Sequence, residues 1–274
     1  MTGFQAPDEH AGPVVIVTGG TFGIGRAITL TLAERGYQVV AFGLEDRQPS
    51  STAENAVPAL AQELACRGLR ADLLVADVSD AGDVASVVAH ALSRYGRVDA
   101  LVNNAAIGPL GTVLDTDETL FDRIMAVNLR GPYLMSRAVL PHFIARGGGR
   151  IVNVGSGAGY GKHNMAVYAA SKAGLHGLTM AMAYDHFHQG VAVNLVIPGG
   201  GGIVTGMTLG RMDGDISKVM RDAPGTVAGR PAEGEDLAKA VAYLLSDDAV
   251  TVSGTVIDIG CFAGQGGPLR LPRS

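Results

Sequence analysis

Seven short apolar runs divide this chain at regular intervals, and they constrain its fold more than any other feature. They are Val14 to Val17, Val39 to Phe42, Leu73 to Ala76, Ala100 to Val102, Ile151 to Val154, Val191 to Ile197 and Thr255 to Ile259. Short runs rich in Val, Ile and Leu, bounded by turn residues, read as strands buried on both faces. Between them lie stretches of helical character: Arg26 to Arg35, Thr52 to Arg67, Ala81 to Tyr95, Asp117 to Ala145, Met165 to Gln189 and Glu233 to Ser246. Gly36, Gly68 and Gly96 supply helix stops. Strand and helix alternate without a break in composition or a repeat of solenoid length. The expected fold is a single doubly wound α/β domain, a Rossmann-like parallel sheet of about seven strands flanked by helices on both faces.

That domain spans residues 14–260, between an N-terminal tail, 1–13, and a Gly/Pro/Arg-rich C-terminal tail, 261–274. Residues 200–230 show no clear period, and a long connection of this kind reads as a substrate loop or lid. The helical stretch from Asp117 has Asp115 or Thr116 as cap candidates. It also contains Gly131-Pro132, so a kink is expected near Asn128.

Composition excludes some classes. Net charge is −5 with no basic cluster, which gives nucleic-acid or anionic-membrane binding no electrostatic support. Cys66 and Cys261 stand far apart and form no metal-ligand pattern, so no metal is expected and a reducing compartment is the simplest setting. No apolar run reaches the roughly 18 residues a bilayer demands, and the N-terminus lacks the regions of a signal peptide. A cytoplasmic protein is the expectation.

In a doubly wound sheet, ligands bind beyond the carboxyl ends of the strands. Several chemistry-bearing segments fall there. The first strand runs into Thr18-Gly19-Gly20-Thr21-Phe22-Gly23-Ile24-Gly25 and then a helix. Glycines in that context let backbone approach a phosphate, and the helix N-terminus offers free N–H groups. The second strand ends in Gly43-Leu44-Glu45-Asp46-Arg47, where a dinucleotide fold meets the adenosine ribose. Glu45 and Asp46 would repel a 2′-phosphate, and Arg47 beside two acids pairs with them, so NAD is favoured over NADP.

The fifth strand leads to Ser156, and after a glycine-rich turn come Tyr168 and Lys172. Four residues apart on a helix, the phenol and the ammonium share one face. The arrangement allows general acid–base catalysis by tyrosine. A phenol near pKa ~10 needs a shift of roughly 3 units, or about 4 kcal/mol, to exchange protons near neutrality. A cation about 4 Å away gives on the order of 4 kcal/mol at an effective dielectric of ~20, before desolvation. Alone, Tyr-x-x-x-Lys is a common helix pair; with Ser156 and the rest of the chain it carries chemistry.

With those residues placed, the chain resembles the short-chain dehydrogenase/reductase family from roughly Val14 to Gly260. Thr18-Gly19-x-x-x-Gly23-Ile24-Gly25 is similar to the family's cofactor turn, Asp77-Val78 to its adenine contact, and Asn103-Asn104-Ala105-Ala106 to its Asn-Asn-Ala-Gly segment. Asn128, Ser156, Tyr168 and Lys172 match its catalytic tetrad in order. Pro198-Gly199, Gly229-Arg230-Pro231 and Val256-Ile257-Asp258 also agree. The resemblance implies hydride transfer between NAD or NADP and a small-molecule ketone or secondary alcohol. Tyr168 would be general acid and base, Ser156 would stabilise the substrate oxygen, and Lys172 would depress the tyrosine pKa and hold the ribose hydroxyls. Asn128 would order a water linking Lys172 to solvent. Cofactor contacts would come from Gly19, Thr21, Phe22, Gly23, Ile24, Gly25, Asp77, Val78, Asn104, Ala105, Ala106, Tyr168, Lys172, Pro198, Gly199 and Ile203.

Three departures stand out. Ala106 replaces the usual glycine. Phe22 stands where NADP-preferring members carry a basic residue. Ile203 and Thr205 come two residues late, after Gly199 to Gly202. The expected pocket lining is Ile107, Leu110, Ala158, Tyr160, Met207, Leu209 and Met212, with His163 and Asn164 as polar candidates, which suits a partly apolar substrate. The resemblance further implies a homo-oligomer, a tetramer or a dimer. Two rival readings are a non-catalytic dinucleotide-binding sensor or scaffold, and an epimerase or dehydratase of the same fold.

Overall fold

The structure is a computed structural model that describes residues 12–44, 56–198, 203, 207 and 226–260. Glu45, Asp46, Arg47, Gly199, Thr205, Leu209, Met212, the C-terminal tail and most of both the N-terminal tail and the 200–230 loop lie outside the described residues.

The strands are β1 (Val14–Thr18), β2 (Gln38–Gly43), β3 (Asp72–Val75), β4 (Ala100–Asn103), β5 (Gly149–Val154), β6 (Val191–Ile197) and β7 (Val256–Asp258). All pair in parallel in the order β3-β2-β1-β4-β5-β6-β7. The chain steps outward from β1 to β3, then restarts at β4 on the other side of β1. That reversal opens a crevice where connections leave in opposite directions, the place where such sheets bind ligands.

The helices are α1 (Gly23–Glu34), α2 (Ala56–Cys66), α3 (Ala81–Tyr95), α4 (Glu118–Met125), α5 (Gly131–Ala145), α6 (Ala166–His186) and α7 (Gly234–Leu245). Because strand side chains alternate, each apolar run feeds two cores. Val15, Val17, Val39 and Ala41 pack with Ile28 and Leu32 of α1, Leu60 and Leu64 of α2, and Leu237 and Val241 of α7. Ile16, Val40, Phe42 and Leu101 face the other way, onto Val84 and Val87 of α3, Met135, Val139 and Phe143 of α5, and Met182 of α6. Each such side chain contributes about 1.5–3 kcal/mol when fully buried, so the sheet is fixed from both sides.

Two expectations about helix ends are corrected. The first helix begins at Gly23, three residues before Arg26, so Gly23 and Gly25 belong to its first turn. The cap of α4 is Asp117 itself, whose carboxylate accepts from Leu120 N at 2.8 Å. Asp115 instead accepts from Thr112 N and Oγ1, and Thr116 Oγ1 donates to Thr112 O. The expected break near Asn128 is present as a π-helical turn, Ala126–Arg130, closed by Gly131 N on Ala126 O. Pro132 has no N–H to continue the ladder, and the extra residue per turn absorbs the loss.

Candidate active site

The ends of β1 and β4 are sewn together by polar groups. Thr18 Oγ1 accepts from the backbone N–H groups of Asn104 (3.0 Å) and Ala105 (2.9 Å). Asn104 Nδ2 donates back to Thr18 O and Gly19 O, at 3.1 and 3.0 Å. The turn after β1 leaves no room for a side chain at Gly19, Gly20 or Gly25. Gly19 has φ +60°, and a Cβ there would lie 2.9 Å from Ala105 Cα. A Cβ on Gly25 would lie 1.9 Å from Gly19 O.

This turn fits a dinucleotide pyrophosphate for a further reason. The N-cap of α1 is Phe22, which makes no side-chain capping bond, and the first turn of α1 holds no acid. By contrast, α3 and α4 are capped by the carboxylates of Asp80 and Asp117. The N–H groups and positive dipole end of α1 are therefore left facing the crevice, the arrangement an anion requires.

Ser156 follows β5 and caps a 3-10 turn, Gly157–Tyr160; its Oγ accepts from Ala158 N at 3.2 Å. The hydroxyl proton remains to be donated to another oxygen. Tyr168 lies in the first turn of α6, 7% exposed, packed with Ala158 and Met165. Lys172, one turn later, is 4% exposed, and its Nζ donates to Val154 O at 2.8 Å. That nitrogen lies 5.9 Å from the centre of the Tyr168 ring. Burial pushes the Lys172 ammonium down from 10.5 to about 8, so it remains charged at neutral pH.

Asn128, in the π-helical turn, is fully buried. Its Nδ2 donates to Ile107 O at 2.8 Å and to Ser171 Oγ at 3.0 Å, while its Oδ1 accepts from Ile107 N at 2.9 Å. Both amide hydrogens are used. The side chain thus clamps the Ile107 peptide and Ser171, whose Oγ donates to Tyr168 O at 2.7 Å. Its amide hydrogens are not left to order a water.

A cavity of about 410 Å³ collects these groups. Its lining includes Gly19, Thr21, Phe22, Gly23, Ile24 and Gly25 of the first turn, Asn104, Ala105 and Ala106 after β4, Ser156, Tyr168 and Lys172, and Pro198 and Ile203. A smaller cavity of about 190 Å³ shares Gly19, Gly43, Leu44, Ala105 and Ala106 in its wall and adds Asp77, Val78 and Ile107. Together they form one groove from β2 and β3 across to β6. Asp77 spends its carboxylate on Ser79 N, Ser79 Oγ and Arg123. Those bonds hold it below the usual carboxylate range against the opposing effect of burial.

The expected pocket lining holds in part. Ala158 and Met207 line the larger cavity, and Ile107 lines the smaller one. Leu110 (46% exposed) and Tyr160 (51% exposed) do not line either, nor do His163 and Asn164. The sequence reading missed Lys162 and Met165, which do. Met165 carries a signal in hindsight, since it immediately precedes the helix that presents Tyr168.

Residues 13–213 match the family model described as short chain dehydrogenase. The chain belongs to the short-chain dehydrogenase family. It is 38% identical over 259 residues to 2-(S)-hydroxypropyl-CoM dehydrogenase 3 of Xanthobacter autotrophicus, covering 93% of this chain and 95% of that one. It is 33% identical to the 3-oxoacyl-(acyl-carrier-protein) reductase FabG of Escherichia coli, covering 90% and 96%. A solved structure of a putative NAD(P)-dependent gluconate 5-dehydrogenase from Beutenbergia cavernae, with bound NADP, superposes with a TM-score of 0.78 at 35% identity, covering 93% and 97%. This short-chain dehydrogenase is an NAD(P)-dependent oxidoreductase that moves hydride between a nicotinamide cofactor and a carbonyl or secondary alcohol. Among its described residues no helix is long and apolar enough to cross a membrane.

Proposed function

We propose that Tyr168 is the general acid of carbonyl reduction and the general base of alcohol oxidation, with Ser156 and Lys172 as its partners. The observation that carries this reading is the convergence of all three on the cavity that the uncapped N-terminus of α1 also enters. Gly19, Thr21, Phe22, Gly23, Ile24 and Gly25, with Asn104, Ala105, Ala106, Pro198 and Ile203, and with Asp77 and Val78 in the adjoining cavity, would hold a nicotinamide dinucleotide, which would supply hydride for reduction and accept it in oxidation. Gly199 is a further candidate contact, outside the described residues. Tyr168 Oη gives its proton to the substrate oxygen as negative charge grows there, and recovers it in the reverse direction. Ser156 Oγ donates a hydrogen bond to the same oxygen, and that bond strengthens as charge develops. The Lys172 ammonium, fixed on Val154 O, favours the phenolate of Tyr168. Asn128 holds the backbone on which Tyr168 and Ile107 sit. Neither rival reading, the dinucleotide sensor or the epimerase or dehydratase, gains a supporting observation.

We take residues 14–260 as one catalytic domain and the 200–230 segment as its substrate loop. The preference for NAD over NADP rests on Glu45 and Asp46. At the described end of β2, Gly43 has no room for a side chain, a Cβ there lying 2.6 Å from Thr21 Oγ1, and Leu44 is 57% exposed. Exposed Leu114, Phe121 and Tyr133 support assembly into a homo-oligomer, a tetramer or a dimer, and a cytoplasmic setting agrees with the composition. Absorbance at the reduced-nicotinamide band, read with NADH and NADPH against a panel of ketones and with NAD and NADP against alcohols, tests the reading. Turnover with NADH above that with NADPH is expected; a preference for NADPH overturns the cofactor choice, and no turnover with either overturns the oxidoreductase mechanism.

A further inference from the structure

The larger cavity contains one charged group that the mechanism does not use. Among the described residues, the charged side chains lining it are Lys162 and Lys172, and no carboxylate lines it. Lys172 is committed to Val154 O and to Tyr168. Lys162 is exposed and has no ion-pair or hydrogen-bond partner among the described residues. The groups nearest it in sequence along the cavity wall are apolar, Ala158 and Met165.

Its position is set by the backbone on both sides. Gly161 takes φ +98° and its N–H donates to Ala158 O at 2.9 Å, which ends the 3-10 turn begun at Ser156. Beyond Lys162, Asn164 adopts φ 58°, its carbonyl accepts from Gly111 N at 2.9 Å, and Ala166 N donates to Gly111 O at 3.2 Å. The segment is therefore pinned to the loop after β4, between the hydroxyl and the phenol that flank the reacting oxygen. A lysine held there keeps its ammonium in water while its stem follows the cavity wall.

We propose that Lys162 pairs with an anionic group on the substrate, so that the preferred substrates are ketones or secondary alcohols that also bear a carboxylate, sulfonate or phosphate ester. This rests on the oxidoreductase reading and narrows its substrate class. An ammonium beside an apolar wall, with no carboxylate lining the cavity among the described residues, attracts an anion. An ion pair at a partly hydrated rim changes apparent affinity by about two- to fivefold.

The test uses two matched pairs, acetoacetate with methyl acetoacetate and levulinate with methyl levulinate, reduced by the wild type, Lys162→Ala and Lys162→Arg. In the wild type, the keto acids are expected to have kcat/KM values above those of their esters. In Lys162→Ala the acid-to-ester ratio falls by up to about fivefold, through KM rather than kcat, and Lys162→Arg restores most of it. Added salt lowers the wild-type ratio and leaves that of Lys162→Ala flat. A ratio unmoved by Lys162→Ala overturns the pairing while leaving the oxidoreductase reading intact. An equal rise in the cofactor KM with acids and esters alike also overturns it, because Lys162 would then serve a cofactor phosphate. If the wild type reduces none of the four compounds but turns over neutral ketones of the wider panel, the pairing falls and the oxidoreductase reading stands.

Discussion

At the residue scale the most exacting group is Lys172, a cation almost out of water. Its folded pKa near 8 lies below the ordinary 10.5, so burial disfavours the charge. Below about pH 8 both the folded and the unfolded chain carry the proton, and the burial penalty is present in full. Between about 8 and 10.5 the unfolded chain keeps a proton that the folded chain has released, so the stability of the cofactor-free protein gains with rising pH. Relative to Lys172→Met, wild type is expected to gain about 3 kcal/mol of unfolding free energy across that window. Urea melts at a series of pH values check this; a constant difference between the two proteins contradicts the burial argument. Gly25 is the second exacting residue. A methyl there must displace Gly19 O, so Gly25→Ala is expected to abolish the thermal shift that a dinucleotide confers, while wild type shifts.

At the scale of elements the caps and the helix break carry separable energies. Asp117→Ala removes the side-chain bond to Leu120 N and is expected to lower stability by about 1 kcal/mol, with Asp115→Ala close to neutral. Asn128→Ala leaves the Ile107 N–H and C=O without their partner and is expected to cost about 2 kcal/mol. Equilibrium denaturation reads all three. The Asp117 and Asp115 contrast shows where the sequence was ambiguous. Asp115, Thr116 and Asp117 are adjacent capping types, and only the neighbouring turn at Thr112 decides which is free to cap. The strands were legible because burial on both faces leaves an unbroken apolar run, whereas the start of α1 was not. Gly23 and Gly25 are poor helix formers; Gly23 takes φ +55°, and at Gly25 a Cβ would lie 1.9 Å from Gly19 O and 2.5 Å from Asn104 Nδ2, so both positions call for glycine. The tyrosine, lysine and serine could be placed from spacing along one helix and one strand end. Lys162 could not, because its place depends on the long-range pairing of Gly111 with Met165.

At the scale of the molecule, the reversal of strand order between β1 and β4 brings the glycine turn after β1 to the same cavity as the hydroxyl, phenol and ammonium of Ser156, Tyr168 and Lys172. A dinucleotide that bridges both halves stabilises the folded state by mass action. At a hundred times its dissociation constant the gain is about 2.7 kcal/mol, a rise in melting temperature on the order of 5 °C or more for a chain of this size. Scanning fluorimetry with NAD and NADP measures this, and the larger shift identifies the preferred cofactor. The central claim is that Tyr168 moves the proton, and Tyr168→Phe isolates it, because the ring stays and only the hydroxyl goes. Measured beside wild type on one ketone, with cofactor affinity from fluorescence titration, the variant is expected to lose about a thousandfold in kcat and to bind the cofactor within about threefold of wild type, a change of under 1 kcal/mol. Full turnover by Tyr168→Phe would contradict the mechanism.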